Sequence, residues 1–233
     1  MELSLFSMDG LLFVLRWMHF FAGVIWIGHL YYFNFTQGGF MAETDAPAKS
    51  QVLQKLLPRA LWWFRWAALW TAVTGLAYIE LKRHQAGNDI FSTSWGASIL
   101  IGATLALVMF ANVWLIIWPN QKIVIANAVA VAGGAAANPA AAGSAAKALL
   151  ASRTNTMLSI PMLFLMGAAS HLPISVSMDS QFGALALFVV AFVVAVEANA
   201  IKGKLGYMTT VKGVITVGFL ACGLIYAVME ALL

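Results

Sequence analysis

Residues 16–35 read RWMHFFAGVIWIGHLYYFNF. As a helix this stretch rises ~30 Å, the thickness of a bilayer's hydrocarbon core, and almost every side chain in it is aliphatic or aromatic. It is therefore read as a membrane-spanning helix. Its exceptions are Arg16, His19 and His29. A charged side chain at the centre of a span costs about 2.5–3.5 kcal/mol on insertion scales, so each such group is a candidate for function.

The rest of the chain agrees with that segment. Of 233 residues, 62% are hydrophobic and 9% are charged, against about 25% charged in an ordinary soluble domain. Six windows have the length and apolarity of a span: 11–36, 58–81, 95–118, 155–173, 181–201 and 210–232. The expected fold is all-α, an integral membrane bundle of six transmembrane helices forming a single domain over 1–233. With 13 basic and 9 acidic residues scattered between apolar runs, nucleic acid is not an expected partner, and membrane lipid is. The first ten residues carry Glu2 and Asp9 and no basic segment, so the first span is expected to be retained rather than cleaved.

Basic residues set the expected orientation. Lys49 and Lys55 lie in 37–57, Lys122, Lys147 and Arg153 in 119–154, and Lys202 and Lys204 in 202–209. The positive-inside rule places these connections in the cytoplasm and both termini on the periplasmic side of a bacterial inner membrane. The Ala-rich 119–154 connection is broken at Gly133-Gly134 and Asn138-Pro139, which predicts a short helix over 120–132, a turn, and a helix running through Arg153 into the fourth span.

At 100° per residue Arg16, His19, Gly23 and Trp26 share one stripe of the first span, with His29 about 80° away. A b-type haem needs an imidazole nitrogen for its iron, a small residue where the porphyrin meets backbone, and a cation for its propionates. That stripe supplies all three. Cys222 is the only cysteine and no CxxCH is present, so haem b would be held non-covalently. His171, after Gly167, Ala168 and Ala169 near the outer end of the fourth span, is the leading partner for His19 as a second iron ligand. His84, in the polar stretch KRHQAGND, is read as solvated. Judged by depth, His29, Arg65, Asn112 and Glu197 form a second group ~10 Å from the cytoplasmic edge. Arg65 and Glu197 are expected to pair, within a pocket for a quinone head, a small substrate or a proton path. Pro161 should free a carbonyl near Met157, with Ser159 available to satisfy it.

Four stretches, RWMHFFAGVIWIGHLYYFNF, PRALWWFRWAALWTAVTGLAYI, ANVWLIIWPNQKIVIANA and SRTNTMLSIPMLFLMGAASHLP, together resemble the N-terminal membrane domain of the bacterial membrane-bound urate oxidase family, whose full-length form ends in a cytochrome c domain. The likeness covers spans one to four most closely and is general in the last two. It implies Arg16, His19 and His171 as cofactor residues, oxidoreductase chemistry, and a cytochrome c as electron acceptor, here on a separate protein. Two features depart from the family: a short KRHQAGNDIFSTS connection stands in place of a longer helical section, and His29 stands where a small or hydroxyl residue is expected. The expected function is a b-type haem membrane protein passing electrons within a respiratory or redox complex. The alternatives are a urate-oxidase-like enzyme binding a purine, and a structural subunit without catalysis.

Overall fold

The computed structural model describes residues 4–177 and 179–233. They fold into six long helices, with no strand among the described residues. We label them α1 (Met8–Glu43), α2 (46–86), α3 (Ser94–Ala132), α4 (Ala140–His171), α5 (Phe182–Lys202) and α6 (Val211–Leu232). Ser7, Asp45, Thr93 and Thr210 cap the starts of α1, α2, α3 and α6, each accepting a hydrogen bond from the third residue on. This is the usual way to satisfy a first-turn N–H.

The helices are longer than the spans read from hydropathy. α1 runs past Thr36 to Glu43, and after an extended Thr44 the Asp45 cap starts α2 at once. The segment 37–57 is thus helical rather than a loop. Likewise, the stretch expected as a separate short helix over 120–132 is the continuation of α3. Three π segments make these continuations possible: Tyr32–Gln37 in α1, Val52–Leu56 in α2 and Asn112–Ile117 in α3. Pro58 and Pro119 each follow a π segment closely. A proline cannot donate the i→i−4 bond and crowds the carbonyl four residues back, and a wider turn just before it relieves both problems.

By length and composition α1, α3, α5 and α6 can each cross a membrane. α2 and α4 are less apolar, for different reasons. α2 carries Arg59, Arg65 and four tryptophans within 62–70. α4 sits at the centre of the bundle, against α3 and α6 and the inner part of α1. Every residue from Arg153 to Ser159 is buried there, including Thr154, Asn155 and Thr156, so α4 need not be apolar to avoid lipid.

Antiparallel pairing places both ends of the chain at one end of the bundle. Gln85 donates to Asp9, the Ile174 amide to Ser94, and the Gln181 amide to the Leu232 carbonyl. α1 lies along α2, joined by an edge-on Phe33–Phe64 contact at 5.4 Å. α4 meets α6 at Gly218, where a Cβ would lie 3.1 Å from the Met157 carbonyl oxygen and closer still to Ile160. Pro161 leaves that carbonyl without its helical N–H. Ser159 does not satisfy it, because its hydroxyl donates to Thr156 instead. The glycine backbone of α6 packs onto it, an approach that favours weak Cα–H contacts.

Candidate functional site

His19 is built into the α1/α2 interface. Its Nδ1 lies 2.9 Å from the Thr71 carbonyl oxygen. A carbonyl only accepts, so Nδ1 carries the proton and the neutral ring leaves Nε2 as a lone pair. Among the described residues Nε2 has no hydrogen-bond partner. The ring lies over Gly75, where a Cβ would come within 2.9 Å of Cε1 and 3.0 Å of Nδ1 but stand 3.9 Å from Nε2. Gly75 therefore makes the seat for the ring, and the stem of the imidazole is held while its free nitrogen is turned away. An Nδ1–H fixed by a carbonyl with Nε2 open is the arrangement of a metal-ligating histidine.

One turn towards the termini, Arg16 donates to the Tyr78 hydroxyl and lies over that ring at 4.9 Å. It has no acidic partner among the described residues, where the one ion pair joins Arg83 to Glu80. Gly23 has only Thr71 Cγ2 nearby, at 3.9 Å, leaving room beside α1. Trp26 is enclosed in the core at 1% exposure, its indole N–H unpartnered.

His171 ends α4 and is exposed. Further in, two hydrogen bonds join α1 and α4. Tyr31 and Ser159 hydroxyls lie 2.9 Å apart, and Asn34 Nδ2 donates to Ser152 Oγ at 2.8 Å. His171 stands three residues before Ile174, whose amide bonds Ser94 at the start of α3, whereas His19 sits opposite Gly75, eleven residues inside the end of α2. The two helices diverge in partner, α1 on α2 and α4 on α3. His84 lies exposed near the end of α2.

The second group does not assemble as depth suggested. Arg65 does not pair with Glu197. Its guanidinium lies over the Trp118 ring at 4.0 Å, a cation–π contact between α2 and α3. Glu197 of α5 instead accepts from Asn112 Nδ2 at 2.5 Å. The same nitrogen donates to Asn155 Oδ1 at 3.0 Å, and Asn155 Nδ2 donates to the Met109 carbonyl at 2.9 Å. Asn112 opens the π segment of α3, so a three-helix polar relay forms where that helix is locally wide. Beside it lies a cavity of about 430 Å³, lined among others by Asn112, Asn120, Lys147 and Glu197. Arg153, counted from sequence among the cytoplasmic cations of the 119–154 connection and expected on the helix entering the fourth span, is 8% exposed, with Nε and Nη1 unpartnered.

His29 faces elsewhere again. Its Nδ1 donates to the Ile25 carbonyl of its own helix at 2.7 Å, and the ring lines a groove of about 580 Å³ between α1 and α2 with Arg59, Trp63 and Tyr32. Sequence reasoning missed Gly75, Asn155, Lys147 and Arg59 as members of these sites. The polar run Arg153–Thr156 inside an otherwise apolar helix was the one local signal for a buried layer. Gly75 and Arg59 gain meaning only through helix pairing.

Residues 85–228, more than half of the chain, match the family model described as urate oxidase N-terminal. The match takes in the last two helices and begins after most of α2, so His171, Asn112 and Glu197 fall inside it while Arg16, His19, His29 and Arg65 fall outside. This differs from the sequence reading, which placed the closest likeness in spans one to four. No curated protein and no solved structure matches the chain.

Proposed function

The chain belongs to the urate oxidase N-terminal family, and from that premise we propose that it is a b-type haem membrane protein passing electrons as a subunit of a redox complex in a bacterial inner membrane, with both termini periplasmic. The observation that carries this reading is the His19 ring, locked by the Thr71 carbonyl and seated on Gly75 so that Nε2 is free. His19 would hold the haem iron, with His171 as the proposed second ligand. Arg16, which lacks an acidic partner among the described residues, would take the propionates, and Gly23 would leave space for the porphyrin edge. Haem bound there supplies one-electron redox chemistry. The protein's own part is to fix the imidazole tautomer, to offer a cation, and to keep the site in low dielectric. Purified protein from haem-replete cells should show a reduced-minus-oxidised haem b spectrum that is lost in His19→Ala and kept in His84→Ala. A colourless, folded preparation would overturn the reading.

A second reading is favoured by the cavity beside Asn112, Glu197 and Lys147. Its carboxylate, amide and ammonium suit a planar heterocycle that both donates and accepts hydrogen bonds, such as a purine. A urate-oxidase-like enzyme using a separate cytochrome c as acceptor would reduce added cytochrome c with uric acid. Glu197→Gln should abolish that turnover. Absence of both haem and turnover, with stoichiometric co-purification of other subunits, would instead mark a structural subunit.

A further inference from the structure

We propose that the groove between α1 and α2 is a binding site for the head of a lipid-soluble quinone and its quinol. The groove holds about 580 Å³ and is lined by Val24, Ile25, Gly28, His29 and Tyr32 from α1 and by Leu56, Arg59, Ala60 and Trp63 from α2. Two π segments border it: Tyr32 begins one and Leu56 ends the other. Such segments recur at functional sites because they reshape a helix surface without breaking it.

Two polar groups of the groove, His29 and Arg59, select its ligand. His29 gives its Nδ1–H to Ile25, so in the neutral ring Nε2 is an acceptor, ready for a hydroxyl. Arg59 is a permanent donor with no acid paired to it among the described residues, where the only ion pair is Glu80–Arg83. A ligand that suits both must offer one oxygen that donates and another that accepts. A phosphodiester group has no proton to give His29 and engages Arg59 alone, so a lipid head would reach His29 only through a hydroxyl or ammonium carried elsewhere on it. A hydroquinone has two oxygens on opposite sides of one ring, its hydroxyl can face Nε2, and its flat body suits Trp63 and Tyr32. The quinone form still offers a carbonyl oxygen to the Arg59 N–H groups. One site thus accepts both members of the couple.

The ligand's route also fits. Val24 is 74% exposed and Trp63 53% exposed, so the groove opens sideways onto the surface that lipid covers. Its apolar end, at Val24 and Ile25, would receive an isoprenoid tail. Arg59 lies nearer the end of the bundle where α1 and α2 join, at the depth of headgroups. The meaning of the site as an electron entry or exit rests on the proposed haem reading, whereas binding itself does not.

The test uses the full chain in detergent, prepared without haem and titrated with decylubiquinone by equilibrium dialysis and by quenching of tryptophan fluorescence. We expect saturable binding that His29→Leu weakens roughly tenfold, the loss of about one good hydrogen bond. Val24→Trp should block binding as strongly, because it fills the groove from an exposed position where a larger side chain leaves folding intact. Elution volume and circular dichroism would confirm that both variants fold. The proposal is overturned if the folded protein shows no saturable binding, or if both variants bind as wild type. It is equally overturned if binding depends on Arg59 but not on His29 and is displaced by phosphatidylglycerol vesicles, which would make the groove an anionic lipid site. A haem-free result of either kind leaves the haem spectrum to be judged separately.

Discussion

His19 and His29 stand ten residues apart on one helix, ~15 Å along its axis, and both hand the Nδ1 proton to a backbone carbonyl. They differ in whose carbonyl it is. His29 uses Ile25, on its own helix, so its ring orientation is settled as soon as α1 forms. His19 uses Thr71 across the interface and needs Gly75 beneath it, so its orientation exists only when α1 and α2 are in register. The lesson is that the first histidine is a product of tertiary packing and the second of local structure, although the sequence around each looks alike.

The largest disturbance of this contrast should come from Gly75→Val. A Cβ there would meet His19 Cε1 at 2.9 Å, forcing the ring from its seat. Overpacking of this kind costs about 1–3 kcal/mol. Thermal unfolding in detergent should fall accordingly and any haem spectrum should disappear, while quinone binding beside His29 persists. If haem were retained, the account of the seat would be wrong.

Asn155→Leu asks whether His19 depends on the bundle as a whole. It removes one of the donors to the Met109 carbonyl, which also accepts from the Asn112 backbone N–H, and one of the two acceptors of Asn112 Nδ2. Each lost hydrogen bond costs about 0.5–1.5 kcal/mol. The expected outcome is lower stability with the His19 spectrum unchanged, since the relay ties α3, α4 and α5 rather than α1 and α2. Loss of the spectrum at full folding would erase the distinction between the two regions.

The smallest effect separates the histidines directly. In haem-free protein, His19→Ala should destabilise by about 1 kcal/mol through the interhelical bond. His29→Ala should cost less than about 0.5 kcal/mol, because the Ile25 carbonyl remains within its helix. Equal melting shifts for the two would contradict the comparison.

Much of the architecture was readable before the structure. The last two helices, 182–202 and 211–232, lie within a residue of the windows expected, because apolar runs bounded by lysine-bearing or serine-bearing turns leave little choice. The long continuations were not readable. Pro58 and Pro119 look like helix ends until a π segment absorbs them, and nothing in composition announces a π segment. At the site, Arg16 and His19 were visible as ionisable groups on one stripe of an apolar span. Gly75 was not, since its role comes from a partner 56 positions earlier in the chain. The Arg65–Glu197 pairing failed for a related reason. Hydropathy gives depth along a helix but not azimuth about the bundle, so two residues at one level can face different neighbours, here Trp118 and Asn112.

The length of α3 has a practical corollary. Its 39 residues span ~58 Å, against a hydrocarbon core of ~30 Å, and α4 returns alongside it. With the apolar part of α3 across a bilayer, the rest of the pair would project beyond the hydrocarbon core as a stalk tipped by 133–139, where Gly134 turns with φ +87°. In an electron micrograph of a small detergent-embedded particle, that stalk distinguishes top from bottom. A soluble domain inserted at the turn would ride on it as a rigid alignment marker, far from either histidine.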